Sequence, residues 1–183
     1  MTQEKGKVGV MKLAEQCTKI RLILSDVDGV LTDGRVIFDN QGIESKQFNI
    51  RDGQGIRLWQ QAGGQFGIVT GRNSQIVKLR ASELDIEIVR QGVKDKLTVV
   101  RSICEELQYD LDEVCFVGDD LPDLAPIQAV GLGIAVGDAV EELRKAAKYT
   151  TSELGGYGAI REVVELILKN SDRWESVLRK YQS

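Results

Sequence analysis

The chain of 183 residues contains no histidine at all. That absence removes Ser-His-Asp and Cys-His triads, phosphohistidine chemistry and the histidine-containing zinc sites. Cysteine is scarce: Cys17, Cys104 and Cys115 are odd in number, scattered, and form no Cys-x-x-Cys pair. Cys104 and Cys115 sit in apolar patterns and read as small core residues in a reducing cytoplasm. No apolar run reaches membrane-spanning length, and residues 1–20 lack the apolar block of a signal peptide, so neither a membrane nor a secretory role is expected. The net charge of -4 is not that of a general nucleic-acid binder. Catalysis is therefore left to carboxylates, Lys, Arg, hydroxyls, thiols or a hard cation. With 28 acidic residues and no imidazole, oxygen-ligated magnesium is the natural ion.

What is present describes an ordinary globular protein, 42% hydrophobic and 28% charged, of a length that suits one domain. Strand-like runs at 21–25, 65–69, 86–89, 113–117, 132–136 and 148–150 alternate with helical stretches near 54–62, 73–84, 95–107, 121–129 and 139–147. This alternation predicts an α/β fold, a doubly wound parallel sheet of Rossmann-like type. In 95–107, Leu97, Val100, Cys104 and Leu107 recur at helical spacing. Ile160, Val163, Val164 and Ile167 do so after the glycine cluster 155–158. Residues 35–48, with Asn40-Gln41-Gly42 at the centre, break the pattern and read as a β-hairpin that can stand beside the first strand as a flap. There is no internal repeat, low-complexity tract or linker. The first dozen residues and the charged tail from Asp172 read as extensions of a core at about 20–168.

Four signals fall at predicted strand ends or helix starts. The apolar run Leu22-Ile-Leu-Ser25 stops in Asp26-Val27-Asp28-Gly29. Alone this is either a strand-terminating turn or an active site. Ile68-Val69-Thr70-Gly71 is a strand ending in a hydroxyl, or simply a helix start. Lys96 lies in the first turn of its helix, where a cation is unfavourable unless an anion is near. Val117-Gly118-Asp119-Asp120-Leu121-Pro122-Asp123 is a second strand ending in acids, or an N-cap pair. In a parallel sheet all these ends meet on one edge, where ligands bind, and together they favour the active-site reading. The third and twelfth ligand positions of an EF-hand loop are missing after Asp26, and no Walker A sequence occurs.

Such a set suits phosphoryl transfer. Asp26 is ionised at neutral pH and can attack phosphorus to give an aspartyl-phosphate. Asp28 can protonate the leaving oxygen and then activate water, help worth roughly 10²–10⁴ in rate. Asp119 with Asp26 would hold magnesium. Thr70 and Lys96 would contact the transferring phosphoryl oxygens.

These motifs, in this order, resemble those of the haloacid dehalogenase-like phosphatases. Further segments narrow the resemblance: Asn49-Ile-Arg51-Asp52-Gly53-x-Gly55-Ile-Arg57, Thr70-Gly-Arg72-x-Ser74, Gln91-Gly92 and Gly155-Gly156-x-Gly158-Ala-Ile-Arg161-Glu162. They are similar to the 3-deoxy-D-manno-octulosonate 8-phosphate phosphatase family, over roughly residues 20–168. The 43 residues between Asp26 and Thr70, and the 25 between Thr70 and Lys96, leave no room for a cap domain, as in that capless branch. The resemblance implies a magnesium-dependent phosphatase of a sugar-acid phosphate, in lipopolysaccharide-type sugar biosynthesis. It also implies a main-chain contact from Asp28 to the metal, and substrate contacts from Asp28, Asn49, Arg51, Asp52, Gly53, Arg57, Arg72, Arg80 and Lys96. A homotetramer with packed flaps, and a neighbour's C-terminal tail over each site, are implied as well; the cluster 155–158 either frees such a tail or is a loop before the last helix. Two rival readings are a phosphatase of a nine-carbon sialic-acid-like 9-phosphate and a catalytically idle regulatory homologue. The chain departs from the family pattern at Val140-Glu141, where His-Pro is common, and at Pro122.

Overall fold

The structure is a computed structural model that describes residues 13–182. The N-terminal extension expected over the first dozen residues lies outside them. Residues 13–19 are helical (α1) and lead into a six-stranded sheet. The strands are β1 (Leu22–Ser25), β4 (Gln65–Val69), β5 (Ile88–Arg90), β6 (Val114–Gly118), β7 (Leu132–Ala135) and β8 (Tyr149–Thr150). Their order is β5-β4-β1-β6-β7-β8 and every neighbouring pair is parallel. The chain moves outward from β1 in one direction and then, through β6, in the other. β1 thus sits at the switch point of a doubly wound sheet, where a crevice opens beyond the strand ends. The central strands β1 and β6 are buried throughout, which is why they read as continuous apolar runs rather than alternating ones.

Helices cover both faces. α2 (Ile50–Gln61), α3 (Gln75–Glu83), α7 (Ala159–Asn170) and α8 (Trp174–Arg179) pack on one side, and α4 (Lys96–Leu107), α5 (Leu124–Ala129) and α6 (Glu141–Ala146) on the other. β2 (Ile37–Phe38) and β3 (Glu44–Ser45) form the expected antiparallel hairpin, with only two residues in each strand. Among the described residues no cap domain is inserted. Cys17, Cys104 and Cys115 are all buried and free of disulfides. Among the described residues no helix is long and apolar enough to cross a membrane.

Three elements differ from expectation for local reasons. The helix expected near 54–62 begins at Ile50, because the Asn49 side chain caps it by accepting the Arg51 amide at 2.8 Å. This puts Gly53 and Gly55 inside a helix, at a cost in propensity. Gly55 is there because a Cβ would lie 3.0 Å from Arg161 Cα: a glycine lets α2 and α7 approach. The helix expected over 121–129 starts as a 3-10 turn, Leu121–Asp123, with Pro122 in its first turn and Asp120 and Asp123 as a capping box. The tail beyond Asp172 is helical and folds back on its own chain. Val177 is buried, and the Tyr181 hydroxyl accepts from Gln54 Nε2 at 2.8 Å.

Candidate active site

The β1 strand delivers Asp26 to the crevice, its amide donating to Val117 O of β6 at 3.0 Å. The chain then tightens: the amides of Val30, Leu31 and Thr32 all donate to Val27 O. Gly29 makes this turn with a φ of +89°, and a Cβ there would collide with the Asp119 carboxylate. The cluster 155–158 is wedged beneath the turn, with the Gly156 amide donating to Val30 O at 2.9 Å, so it is a loop that supports the site. β4, in register beside β1, is followed directly by the buried Thr70, and β6 by Asp119. Lys96 opens α4, whose N-cap is Asp95, and reaches in with a side chain only 3% exposed.

Asp26, Lys96, Asp119 and Asp123 meet there. Lys96 Nζ lies 2.8 Å from Asp26 Oδ2 and 2.6 Å from Asp123 Oδ1. The other Asp123 oxygen accepts the Asp119 amide at 3.1 Å. Asp26 Oδ1 accepts the Val27 amide at 2.7 Å. Oxygens of Asp26, Asp119 and Asp123 lie within 4.8 Å of one another. Three carboxylates against one ammonium leave a buried excess of negative charge. Burial, then the charges of Asp26 and Asp123, push the Asp119 carboxyl up to about 7. Burial and Asp26 raise Asp123 to about 6, against the pull of Lys96. Burial opposes the charged form of Lys96, but Asp26 and Asp123 outweigh it and its affinity for the proton rises. A hard divalent cation fits this donor set: the ligands are all carboxylate oxygens and the charge it would neutralise is there. Asp123, with both oxygens bonded to Lys96 and backbone, supports Lys96 and Asp119. It stood in the fourth motif, but its pairing with Lys96, 27 residues away, has no local signal.

Asp28 stands beside this cluster and not within it. Its side chain faces Lys46 of the flap, which donates to Oδ1, and Arg72, whose Nε lies 3.7 Å from Oδ2. Glu44 joins Arg72 and Ser74. Nothing in the local sequence marked Glu44 or Lys46, since the hairpin's position against the cleft is a tertiary matter.

The residues expected to contact substrate divide in two. Asp28, Arg72 and Lys96 lie at the cleft. The others lie along the seams of α2. Asn49 caps α2 and donates to Gly156 O at 3.2 Å. Asp52 is 1% exposed and accepts the amides of Gly158 and Arg161, so it caps α7 from another helix, where the N-cap glycine has no side chain to do so. Gly53 faces the Arg80 guanidinium, Arg80 bonds Glu83 at 2.8 Å, and Arg57 donates to Glu83 O at 3.1 Å. Arg51 is exposed on an open groove with Tyr157, Arg161 and Glu162. Val140 meets the site through its backbone, its amide donating to Asp119 O at 2.9 Å, a bond that its departure from the family pattern leaves intact.

A buried carboxylate at the end of β1, a hydroxyl after β4, a helix-borne lysine and acids after β6, with no cap among the described residues, mark a haloacid dehalogenase-like hydrolase. Residues 79–155 match that family. The 3-deoxy-D-manno-octulosonate 8-phosphate phosphatase of Yersinia pestis is 42% identical over 161 residues, covering 88% of this chain and 86% of that one. That of Escherichia coli K12 is 43% identical over 149 residues, covering 81% and 79%. A crystal structure of the Moraxella catarrhalis 3-deoxy-D-manno-octulosonate 8-phosphate phosphatase, in complex with magnesium, phosphate and KDO, has a TM-score of 0.91. It is 38% identical and covers 92% of this chain and 97% of its own. The chain belongs to this phosphatase family and is a phosphoric monoester hydrolase.

Proposed function

We propose that the protein hydrolyses 3-deoxy-D-manno-octulosonate 8-phosphate to the free sugar acid and phosphate through an aspartyl-phosphate on Asp26. The observation that carries this reading is the buried Asp26, held by Lys96 and the Val27 amide and surrounded by an uncompensated carboxylate cluster, in a family of that specificity. Asp26 attacks phosphorus while the bridging P–O bond breaks and Asp28 passes a proton to the departing sugar oxygen. Asp28 then takes a proton from the water that opens the aspartyl-phosphate and restores Asp26. Lys96 and Thr70 bind the phosphoryl oxygens as charge redistributes. Asp26 and Asp119, with the main chain at Asp28, would hold magnesium, which screens the carboxylates from the anionic substrate and stabilises the transferring group.

Arg72 is the residue we assign to the substrate carboxylate, through its bidentate fork. Asn49, Asp52, Gly53, Arg57 and Arg80 shape the substrate end by fixing α2 against α3 and α7, and Arg51 remains exposed for contact. The flap exposes Val36 (51%), Phe38 (56%) and Ile43 (57%), which supports homotetramer assembly through packed flaps, and the three free, buried cysteines suit the cytoplasm. Light scattering tests the assembly, and a monomer would sink it. The substrate assignment is tested by kcat/KM on a panel of sugar-acid phosphates with and without magnesium. Preference for the 8-phosphate of the octulosonate is expected. Preference for a nine-carbon 9-phosphate would overturn the assignment, and no turnover of any member would leave an idle homologue.

A further inference from the structure

The flap is the part of the cleft that the reaction, as written above, leaves unused. Lys46 directly follows β3, and it and Glu44 both turn toward the cleft, Lys46 to Asp28 and Glu44 to Arg72. The Lys46 side chain is only 1% exposed, on a hairpin that is otherwise largely in solvent. Lysine is seldom taken out of water without a partner, and ordering it costs rotamer entropy. Here the ammonium donates to Asp28 Oδ1 and lies 3.4 Å from Glu44 Oε1. Glu44 is itself anchored, accepting from Arg72 at 2.9 Å and from the Ser74 hydroxyl at 2.7 Å. The chain from α3 through Glu44 to Lys46 therefore ends on one oxygen of the residue that handles the proton.

We propose that Lys46 is a positioning residue of the phosphatase reaction: by tying Asp28 Oδ1 it reserves Oδ2, which lies 3.7 Å from Arg72 Nε, for the leaving oxygen. This rests on the acid–base reading of Asp28. A carboxyl group that gives a proton from one oxygen still accepts a hydrogen bond at the other, so the tie persists in both protonation states. As the Asp26–phosphorus bond forms and the sugar–phosphorus bond breaks, the Oδ2 proton passes to the departing oxygen. When water attacks, its proton goes to Oδ2 and the aspartyl–phosphorus bond breaks. Lys46 exchanges no proton. Its contribution is to remove the rotation of Asp28 that would aim Oδ2 elsewhere.

The leaving group discriminates this role from a general loss of charge or structure. kcat/KM covers the steps up to the aspartyl-phosphate, in which a sugar alkoxide needs the proton and p-nitrophenolate does not. Lys46→Met keeps the length and removes the tie. It is expected to lower kcat/KM about 10–100-fold on the sugar-acid phosphate that the panel selects, and at most about 3-fold on p-nitrophenyl phosphate. Glu44→Gln should shift the ratio the same way by less, and it carries the comparison if Lys46→Met does not fold. Asp28→Asn is the reference. If it shows no leaving-group selectivity, the acid–base reading and the positioning role both fall. If it is selective while Lys46→Met loses equally on both substrates, or on neither, the positioning role alone is overturned.

Discussion

Replacing Asp52 with asparagine should change how stability depends on pH. Asp52 is an ionisable group sealed between α2 and α7, and two forces compete over it. The amides of Gly158 and Arg161, at 3.2 and 2.9 Å, favour the carboxylate, as does the positive end of α7. Burial favours the neutral acid and prevails, raising the carboxyl from 3.8 to about 6. The folded chain thus binds the proton more tightly than the unfolded chain. Between those two pH values the native state carries more protons, so stability falls as pH rises through the window. The contribution is fully present below 3.8 and lost above 6. At 1.36 kcal/mol per pH unit this amounts to about 3 kcal/mol. An asparagine at this position does not titrate. The unfolding free energy of the wild type minus that of Asp52→Asn should therefore drop by about 2.4 kcal/mol between about pH 4 and pH 7, most of the full span. Urea unfolding followed by far-UV circular dichroism, at one protein concentration and with a chelator present, measures that difference, and subtraction cancels every other titrating group. A flat difference would refute the reasoning. A rising one would mean that the α7 amides win over burial and hold the carboxylate ionised.

Other perturbations act at the catalytic end. Asp26→Asn removes the oxygen proposed to attack phosphorus while keeping the shape, and turnover should vanish together with any trappable phosphoenzyme; retained activity would exclude the covalent route. Magnesium at a hundredfold excess over its dissociation constant should add about 2.7 kcal/mol of stability, read as a rise in Tm of roughly 5–10 °C. A chelator should reverse the rise, and Asp119→Asn should abolish it; an equal rise in that variant would place the ion elsewhere. Gly29→Ala forces a side chain into a φ of +89° and against the Asp119 carboxylate. A weaker magnesium midpoint and at least a tenfold loss of kcat/KM are expected, and unchanged magnesium titration would show that Asp119 moves aside freely.

The layered architecture was already legible along the chain. Buried parallel strands must be continuously apolar, so β1, β4, β6 and β7 announced themselves, and their abrupt ends in Asp26, Thr70 and Asp119 marked the functional edge. Lys96 at a helix start was legible for a related reason: a cation there is out of place without an anion to meet. Short or capped elements were less legible. The α2 start depended on a single Asn49 side chain, and the two-residue strands of the flap carry too little pattern to show where the hairpin docks. What each charged side chain faces emerged from packing alone. Asp52 and Arg72 both lie in segments that resemble substrate contacts, yet Asp52 ends beneath α7 and Arg72 at the cleft. Asp123 received Lys96, and Asp28 received Lys46, across 27 and 18 residues of chain. The physical reason is range: hydrophobic periodicity is written along the chain, whereas a charge takes its meaning from whatever the packed layers bring within a few ångströms.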